Sequence, residues 1–283
     1  MKPWSSKTTR GNNRLGHVAW KAAALALAWW LAALPVFASI QEEPAREIAV
    51  QSVTVAPPSG LLPVGERLKF HGRWLGIPVG RGSIEVKELV QFHGRPAYYV
   101  EAEGFTNSAL SVFYPVHDTI SSYLDAETLQ PLQFEKHQRE GRYRADEVVT
   151  FDYDRLVATY HSELNGTTKE VPIPSDVQDI VSSFYWLRTR LADPSRPITL
   201  PLYSDEKVYR TTFEPVRPLL LELRRHGVIP SLLIEPKAVF KGIFVKRGRM
   251  LVYVSADKRR LPLLVKLFTP WGLVTGIIDR TCL

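Results

Sequence analysis

The sequence predicts a mainly β protein: a curved antiparallel sheet or partly open barrel of about a dozen strands, with one amphipathic helix over about residues 176–191. Three observations predict it. Short runs of β-branched and aromatic residues alternate with polar ones at a period of two, as in strands with one buried face. Turn residues recur at close spacing between these runs, as in sandwiches and barrels. Only one segment has a helical period, and a lone helix in a β chain must lie on a sheet or plug a barrel mouth.

The 283 residues are 45% hydrophobic and 11% aromatic, which excludes wholesale disorder. Residues 1–21 carry Lys2, Lys7, Arg10, Arg14 and Lys21 and no acid. An apolar run from Ala22 to Ala38 follows and closes on Pro35 and Val36-Phe37-Ala38. That is the shape of a secretory signal cleaved after Ala38, which places the mature chain in the periplasm. The alternative is an inner-membrane anchor formed by residues 22–38, at the short limit of a span. Without residues 1–38 the formal charge falls from +7 to +2, so nucleic-acid binding loses its compositional support. Residues 39–63 hold four prolines and read as a flexible linker, leaving 64–283 as a single β-rich domain. The one cysteine, Cys282, excludes an internal disulfide.

Strand patterns begin with Arg67 to Leu75, followed by a turn region from Gly76 to Gly80. Ser83 to Val90 and Ala97 to Phe105 flank a His93-Gly94 turn. Asp118 to Leu124, Leu132 to Gln138, Glu147 to Tyr153 and Leu156 to Leu164 come next. Asn165-Gly166, with two residues that tolerate positive φ, predicts a tight hairpin into Thr167 to Val171. After the helix come Lys207 to Val216, Leu219 to Arg225, Ser231 to Glu235, Arg249 to Ser255, Leu263 to Phe268 and Leu273 to Asp279. For the helix itself, Ser175 with Gln178 predicts a capping box. Val177, Ile180, Val181, Phe184, Leu187 and Leu191 form its apolar stripe, and Asp193-Pro194 ends it.

Three segments resemble a known family. Gly65-Glu66-Arg67-Leu68 leading to Trp74-Leu75-Gly76-Ile77 resembles its opening, and DIVSSFYWLRTR, with Asp179, Phe184, Tyr185 and Arg188, is similar to its central motif. Val254-Ser255-Ala256-Asp257-Lys258-Arg259-Arg260-Leu261-Pro262 resembles its C-terminal signature. The family is an uncharacterised group of bacterial exported proteins, domain of unknown function 3108. The resemblance spans about residues 64–280 and implies an exported, β-rich, curved-sheet protein. It brings no established activity.

No catalytic residue, cofactor or metal site is assigned. Gly76, Gly80 and Gly82 miss the spacing of a phosphate-binding loop, and the histidines show no metal-ligand spacing. The candidate ligand-binding residues are Asp118, Asp179, Tyr185, Arg188, Asp257, Arg259 and Arg260. Carboxylates and guanidinium groups in an apolar context can line a cleft and grip a polar head group. The competing structural reading has Asp179 and Arg188 decorating the helix and Asp257 closing a turn with Arg259 or Arg260. Charge is also unevenly placed. Segment 235–266 holds nine basic and two acidic residues, whereas Ser39 to Ile234 holds 21 basic and 26 acidic. A basic segment of this kind could meet anionic lipid, lipopolysaccharide or glycan. Three functions follow: a non-enzymatic binding or envelope-assembly protein for an amphipathic or anionic envelope component, a structural scaffold, and a carboxylate-dependent glycan-processing hydrolase. The last requires its carboxylates to converge.

Overall fold

The computed structural model describes residues 45–48, 62–191, 196–214, 217–224, 226–237, 249–270 and 272–283. Its strands are β1 (Ala45–Ile48), β2 (Arg67–Trp74), β3 (Ile77–Phe92), β4 (Arg95–Thr106), β5 (His117–Asp125), β6 (Pro131–Glu140), β7 (Tyr143–Asp152), β8 (Val157–Ser162) and β9 (Thr168–Pro172). They continue as β10 (Ile198–Ser204), β11 (Lys207–Phe213), β12 (Arg217–Leu223), β13 (Gly227–Ile234), β14 (Pro236–Lys237), β15 (Arg249–Ser255), β16 (Pro262–Thr269) and β17 (Gly272–Ile278). Two α-helices are described, the single turn α1 (Ser108–Ser111) and the longer α2 (Ile180–Arg190).

Fourteen strands form one open antiparallel sheet in the order β1-β12-β13-β15-β16-β17-β2-β3-β4-β5-β6-β7-β8-β9, and β10-β11-β14 form a second, smaller sheet. The fold class read from the sequence is what the chain adopts. Curvature has local causes. Register shifts interrupt β2–β3 at Gly72/Arg73, β3–β4 at Val86/Glu88, β5–β6 at Tyr123/Leu124 and β15–β16 at Tyr253/Val254. Each adds bend and twist to a ladder that would otherwise run flat. Gly80 marks the tightest point, since a Cβ there would lie 2.3 Å from the carbonyl oxygen of Phe105.

Tight turns follow residues that tolerate positive φ. Leu75-Gly76 and His93-Gly94 both take two positive φ values and join β2 to β3 and β3 to β4 directly. The turn region expected from Gly76 to Gly80 therefore reduces to two residues, and β3 starts at Ile77. The hairpin expected at Asn165-Gly166 is present, β8 pairing antiparallel with β9, but its turn differs from the expected one. Only Gly166 has positive φ, while Asn165 accepts a hydrogen bond from the Thr167 amide, making a longer loop. Asp205-Glu206, both at positive φ, turn β10 into β11, a hairpin whose pair lacks the usual glycine signal. β10 is a strand the sequence reading omitted.

Two further expectations change. The segment read as a linker contributes β1, which pairs with β12 and buries Ala45. The helix starts four residues later than expected, because Asp179, not Ser175, is its N-cap. The Asp179 side chain accepts from the Ser182 amide, and the Asp179 amide donates to Ser182 Oγ. Gln178 instead bridges to β10, its backbone bonding Pro201 O and Tyr203 N. The buried face is rotated accordingly. Ile180 is 53% exposed, whereas Val181, Tyr185 and Arg188 point inward. The proposed stop at Asp193-Pro194, the signal segment 1–38 and most of residues 39–61 lie outside the described residues.

α2 lies where the apolar clusters meet. Val181 and Tyr185 join Val86, Val100 and Leu124; Leu191 joins Leu200, Leu232 and Val254; Phe184 packs against the cluster of Leu68, Leu263 and Ile278. Each fully buried side chain of this size contributes about 1.5–3 kcal/mol. Replacing Gly80 by Ala should destabilise the fold by about 2–4 kcal/mol through collision with backbone. At Gly104 a Cβ meets nothing within 4 Å, and the same change should stay within about 1 kcal/mol. Urea unfolding of the two variants checks the contrast.

Candidate functional site

A charged clamp holds the C-terminal turn of α2. Arg188 donates from Nη1 to Glu66 Oε2 at 2.6 Å and from Nη2 to Glu66 Oε1 at 2.8 Å, a bidentate pair. Nε and Nη2 also donate to the Arg259 carbonyl at 3.2 and 2.9 Å. The Arg188 and Glu66 side chains are only 8% and 13% exposed. Water screens the pair little, and breaking it would strand a buried charge. Phe184 and Tyr185 place their rings 5.4 and 5.3 Å from the guanidinium carbon.

Arg260 completes the clamp. It is fully buried, and its guanidinium donates to the carbonyls of Ala256, Asp257 and Leu191. Leu191 caps α2, so a cation sits at the negative end of the helix dipole and binds an orphan carbonyl. Burial draws the Arg260 guanidinium below its usual range, without approaching neutrality. Positive φ at Arg260 turns the chain so that the side chain points inward.

The remaining sequence-predicted residues divide. Asp257 accepts from Ser255 Oγ at 2.6 Å, from the Arg259 amide at 3.1 Å and from Arg259 Nε at 3.0 Å. Burial raises its pKa, but these hydrogen bonds outweigh burial and hold it below the ordinary value. Asp179 is buried at the other end of α2, where Ser122 Oγ on β5 donates to it at 2.6 Å. Desolvation pushes its carboxyl up despite the hydrogen bonds to Ser122 and Ser182. Tyr185 is fully buried, and its hydroxyl has no partner among the described residues. Asp118 is elsewhere. It accepts from the Arg139 amide at 2.8 Å and meets the Glu140 carboxyl, four residues along β5 from Ser122. That spacing puts Asp118 about 13 Å from the Ser122–Asp179 contact. Asp118, Asp179 and Asp257 therefore have separate partner sets and do not converge as a glycosidase pair would.

A family model described as "Protein of unknown function (DUF3108)" matches residues 69–279. The chain belongs to the DUF3108 family. In this DUF3108 chain the three segments that carry the resemblance are the ones that meet at the clamp, supplying Glu66, Arg188, and Arg259 with Arg260. No curated protein matches. Among solved structures it is similar to the beta-barrel-like protein of domain of unknown function DUF1849 from Brucella abortus. The two share 9% identity over 77% of this chain and 97% of that one, with a TM-score of 0.56, so the likeness shows the fold alone.

Beside α2 an open cleft of about 380 Å³ is lined by Trp186, Arg190, Gln178, Leu200, Glu127 and Asp176, among others. Arg190 stacks 5.4 Å from the Trp186 ring. Gln178 is 2% exposed, and its side-chain Oε1 has no hydrogen-bond partner among the described residues. No sequence signal marked Gln178 as a site residue, because its spacing from Ser175 suggested a cap.

The basic segment is quieter than its composition suggests. Lys237 and Arg249 both grip Glu235, at 2.9 and 2.8 Å, and Arg249 foremost draws the Glu235 carboxyl down to about 2. Arg260 and Lys266 are buried, and Lys241, Lys246 and Arg247 lie outside the described residues.

Two outcomes are expected. Glu66→Gln leaves Arg188 without its counter-charge and should lower stability by about 3 kcal/mol. Replacing both, as Glu66→Leu with Arg188→Met, should recover most of that loss in denaturant unfolding. Burial, then the neighbouring Asp118 charge, raises the Glu140 carboxyl from 4.5 to about 7. A raised acid binds its proton more tightly when folded, so its stability contribution is full below pH 4.5 and is lost as pH rises towards about 7. Glu140→Gln should remove that slope and add roughly 1–2 kcal/mol near neutral pH, discounted for partial solvent exposure. Urea midpoints at acidic and neutral pH measure it.

Proposed function

We propose that this protein is an exported, non-enzymatic binding or assembly component of the bacterial cell envelope, and that it holds an amphipathic, hydroxyl-bearing component in the cleft beside α2. The observation that carries this reading is Gln178. An amide oxygen buried without a partner costs about 1–3 kcal/mol, and a small rotation of the Gln178 side chain, which lines the cleft, would turn it toward a ligand that brings a donor. Around it Trp186 and Leu200 offer an apolar wall, and Thr128, Gln130 and Thr199 offer polar groups. One apolar face and one ring of hydroxyls is the chemistry of a sugar, as in an envelope glycan or the head of a glycolipid. The non-enzymatic part is supported by the separation of Asp118, Asp179 and Asp257 and by their structural partners. Export is supported by the basic and apolar composition of residues 1–38.

Calorimetric titration with envelope oligosaccharides and lipid A-type glycolipids tests the cleft. Trp186→Ala and Gln178→Leu should each weaken binding about tenfold or more. Gln178→Leu should leave the melting temperature unchanged or slightly raised, since it removes an unsatisfied acceptor. Equal binding by the parent and both variants, or no binding by any, overturns the proposal. Cell fractionation scores export separately.

A further inference from the structure

The opposite end of the sheet has a different surface. Four connections meet there: the β16–β17 turn, the β2–β3 turn, the α1 segment between β4 and β5, and the β6–β7 turn. Backbone and side-chain hydrogen bonds lace them together. Leu75 N donates to Leu273 O at 2.8 Å, Asn107 donates to Val79 O and Pro78 O at 2.9 and 2.7 Å, and Gly141 N donates to Pro115 O at 2.8 Å. The rim is therefore one continuous surface.

Its tips are apolar and open to solvent. Val112 is 77% exposed, Phe113 74%, Ile77 52% and Leu75 40%. Large apolar side chains at such exposure on neighbouring turns mark an interaction surface. Arg73, Arg81, Arg142 and Arg144 flank them. Among the described residues Arg73 and Arg144 donate only to nearby carbonyls, and none of the four forms an ion pair. Nearby acids face other partners: Asp118 and Glu140 meet each other, and Asp146 is bound by Arg139 and His137. At the far end the turns carry charges of both signs, Asp125, Glu127, Asp152 and Asp154 together with Arg95, Arg155, Lys258 and Arg259. The molecule thus has one cationic, apolar rim and one of mixed charge.

We propose that the rim formed by Leu75, Ile77, Val112 and Phe113, with Arg73, Arg81, Arg142 and Arg144 around it, docks on an anionic lipid surface. Two pairs of apolar tips on neighbouring connections, ringed by unpaired guanidinium groups, match a bilayer interface: the tips enter the boundary between head groups and acyl chains while the arginines meet lipid phosphates. Docking through this rim leaves the cleft beside α2, whose lining includes Glu127 and Thr128 of the β5–β6 turn at the other end, facing away from the lipid. The inference rests on the envelope reading for the identity of the membrane alone. A failed glycan titration leaves it standing, because the cleft and the rim share no residue.

The test uses the full chain carrying Cys282→Ser and one new cysteine for an environment-sensitive fluorophore. Phe113→Cys reports the rim and His93→Cys reports the far end. Because each probe reads its own position, an N-terminal apolar segment that binds lipid by itself does not mimic the result. On vesicles of phosphatidylcholine with about 30% phosphatidylglycerol at low salt, the probe at 113 should shift blue and be quenched by lipid-borne quenchers, and the probe at 93 should do neither. Arg142→Gln with Arg144→Gln should weaken partitioning roughly thirtyfold, about 1 kcal/mol per cation, with melting unchanged. A probe at 113 that stays in water, that shifts equally on pure phosphatidylcholine, or that is buried only by a protein partner overturns the proposal.

Discussion

The pairing of Arg188 with Glu66 and the Arg259 carbonyl is the contact on which the arrangement of the molecule depends. It joins the start of β2, the last turn of α2 and the loop between β15 and β16, segments far apart in the chain. A guanidinium at this burial tolerates one geometry, because each lost hydrogen bond would leave a desolvated donor. Arg260 reinforces it from the other side by drawing Leu191 O and the loop carbonyls onto one cation. With Asp179 tied to Ser122 at the opposite end, α2 is pinned at both termini, and its apolar side chains are held where the clusters converge.

That plug has consequences for where function can reside. Among the described residues the side chains of α2 join three apolar clusters, and open surfaces lie beside the helix and at one end of the sheet. The cleft at Gln178 follows from the register of α2 against β10: the Gln178 backbone is committed to Pro201 and Tyr203, which buries its side chain beside Trp186. The apolar rim follows from strand pairing, because antiparallel order brings the β2–β3, β4–β5, β6–β7 and β16–β17 connections to one end.

Much of the fold was legible in the sequence. Alternation in Ala97 to Phe105 and Glu147 to Tyr153 is a local property of the pleat; the first is a strand close to those bounds, and the second falls in a strand that begins four residues earlier, at Tyr143. Leu75-Gly76 and His93-Gly94 announce turns because glycine relieves the backbone strain. β10 escaped notice because Asp205-Glu206 turn at positive φ without a glycine to announce it, held there by the pairing of the strands they join. For Asp257, a candidate ligand-binding residue, the competing reading as a turn-former paired with Arg259 was within reach of the sequence, since its partners lie two residues away on either side. Glu66 was not a candidate. Its partner lies 122 residues along the chain, and no local pattern encodes such a pairing.

By itself the sequence determined the class: a β-rich body with one amphipathic helix, an N-terminal segment with the composition of an export signal, and most strand boundaries. These rest on period, propensity and turn chemistry, which act over a few residues. Tertiary structure decided which face of α2 is buried, that Arg188 and Arg260 are clamps within the fold, that Asp118 stands apart with Glu140, and that exposed apolar tips share a rim with unpaired arginines. The physical reason is range. A charged residue becomes structural or free according to which distant segment desolvates and pairs it, and that is set only when the sheet packs against the helix.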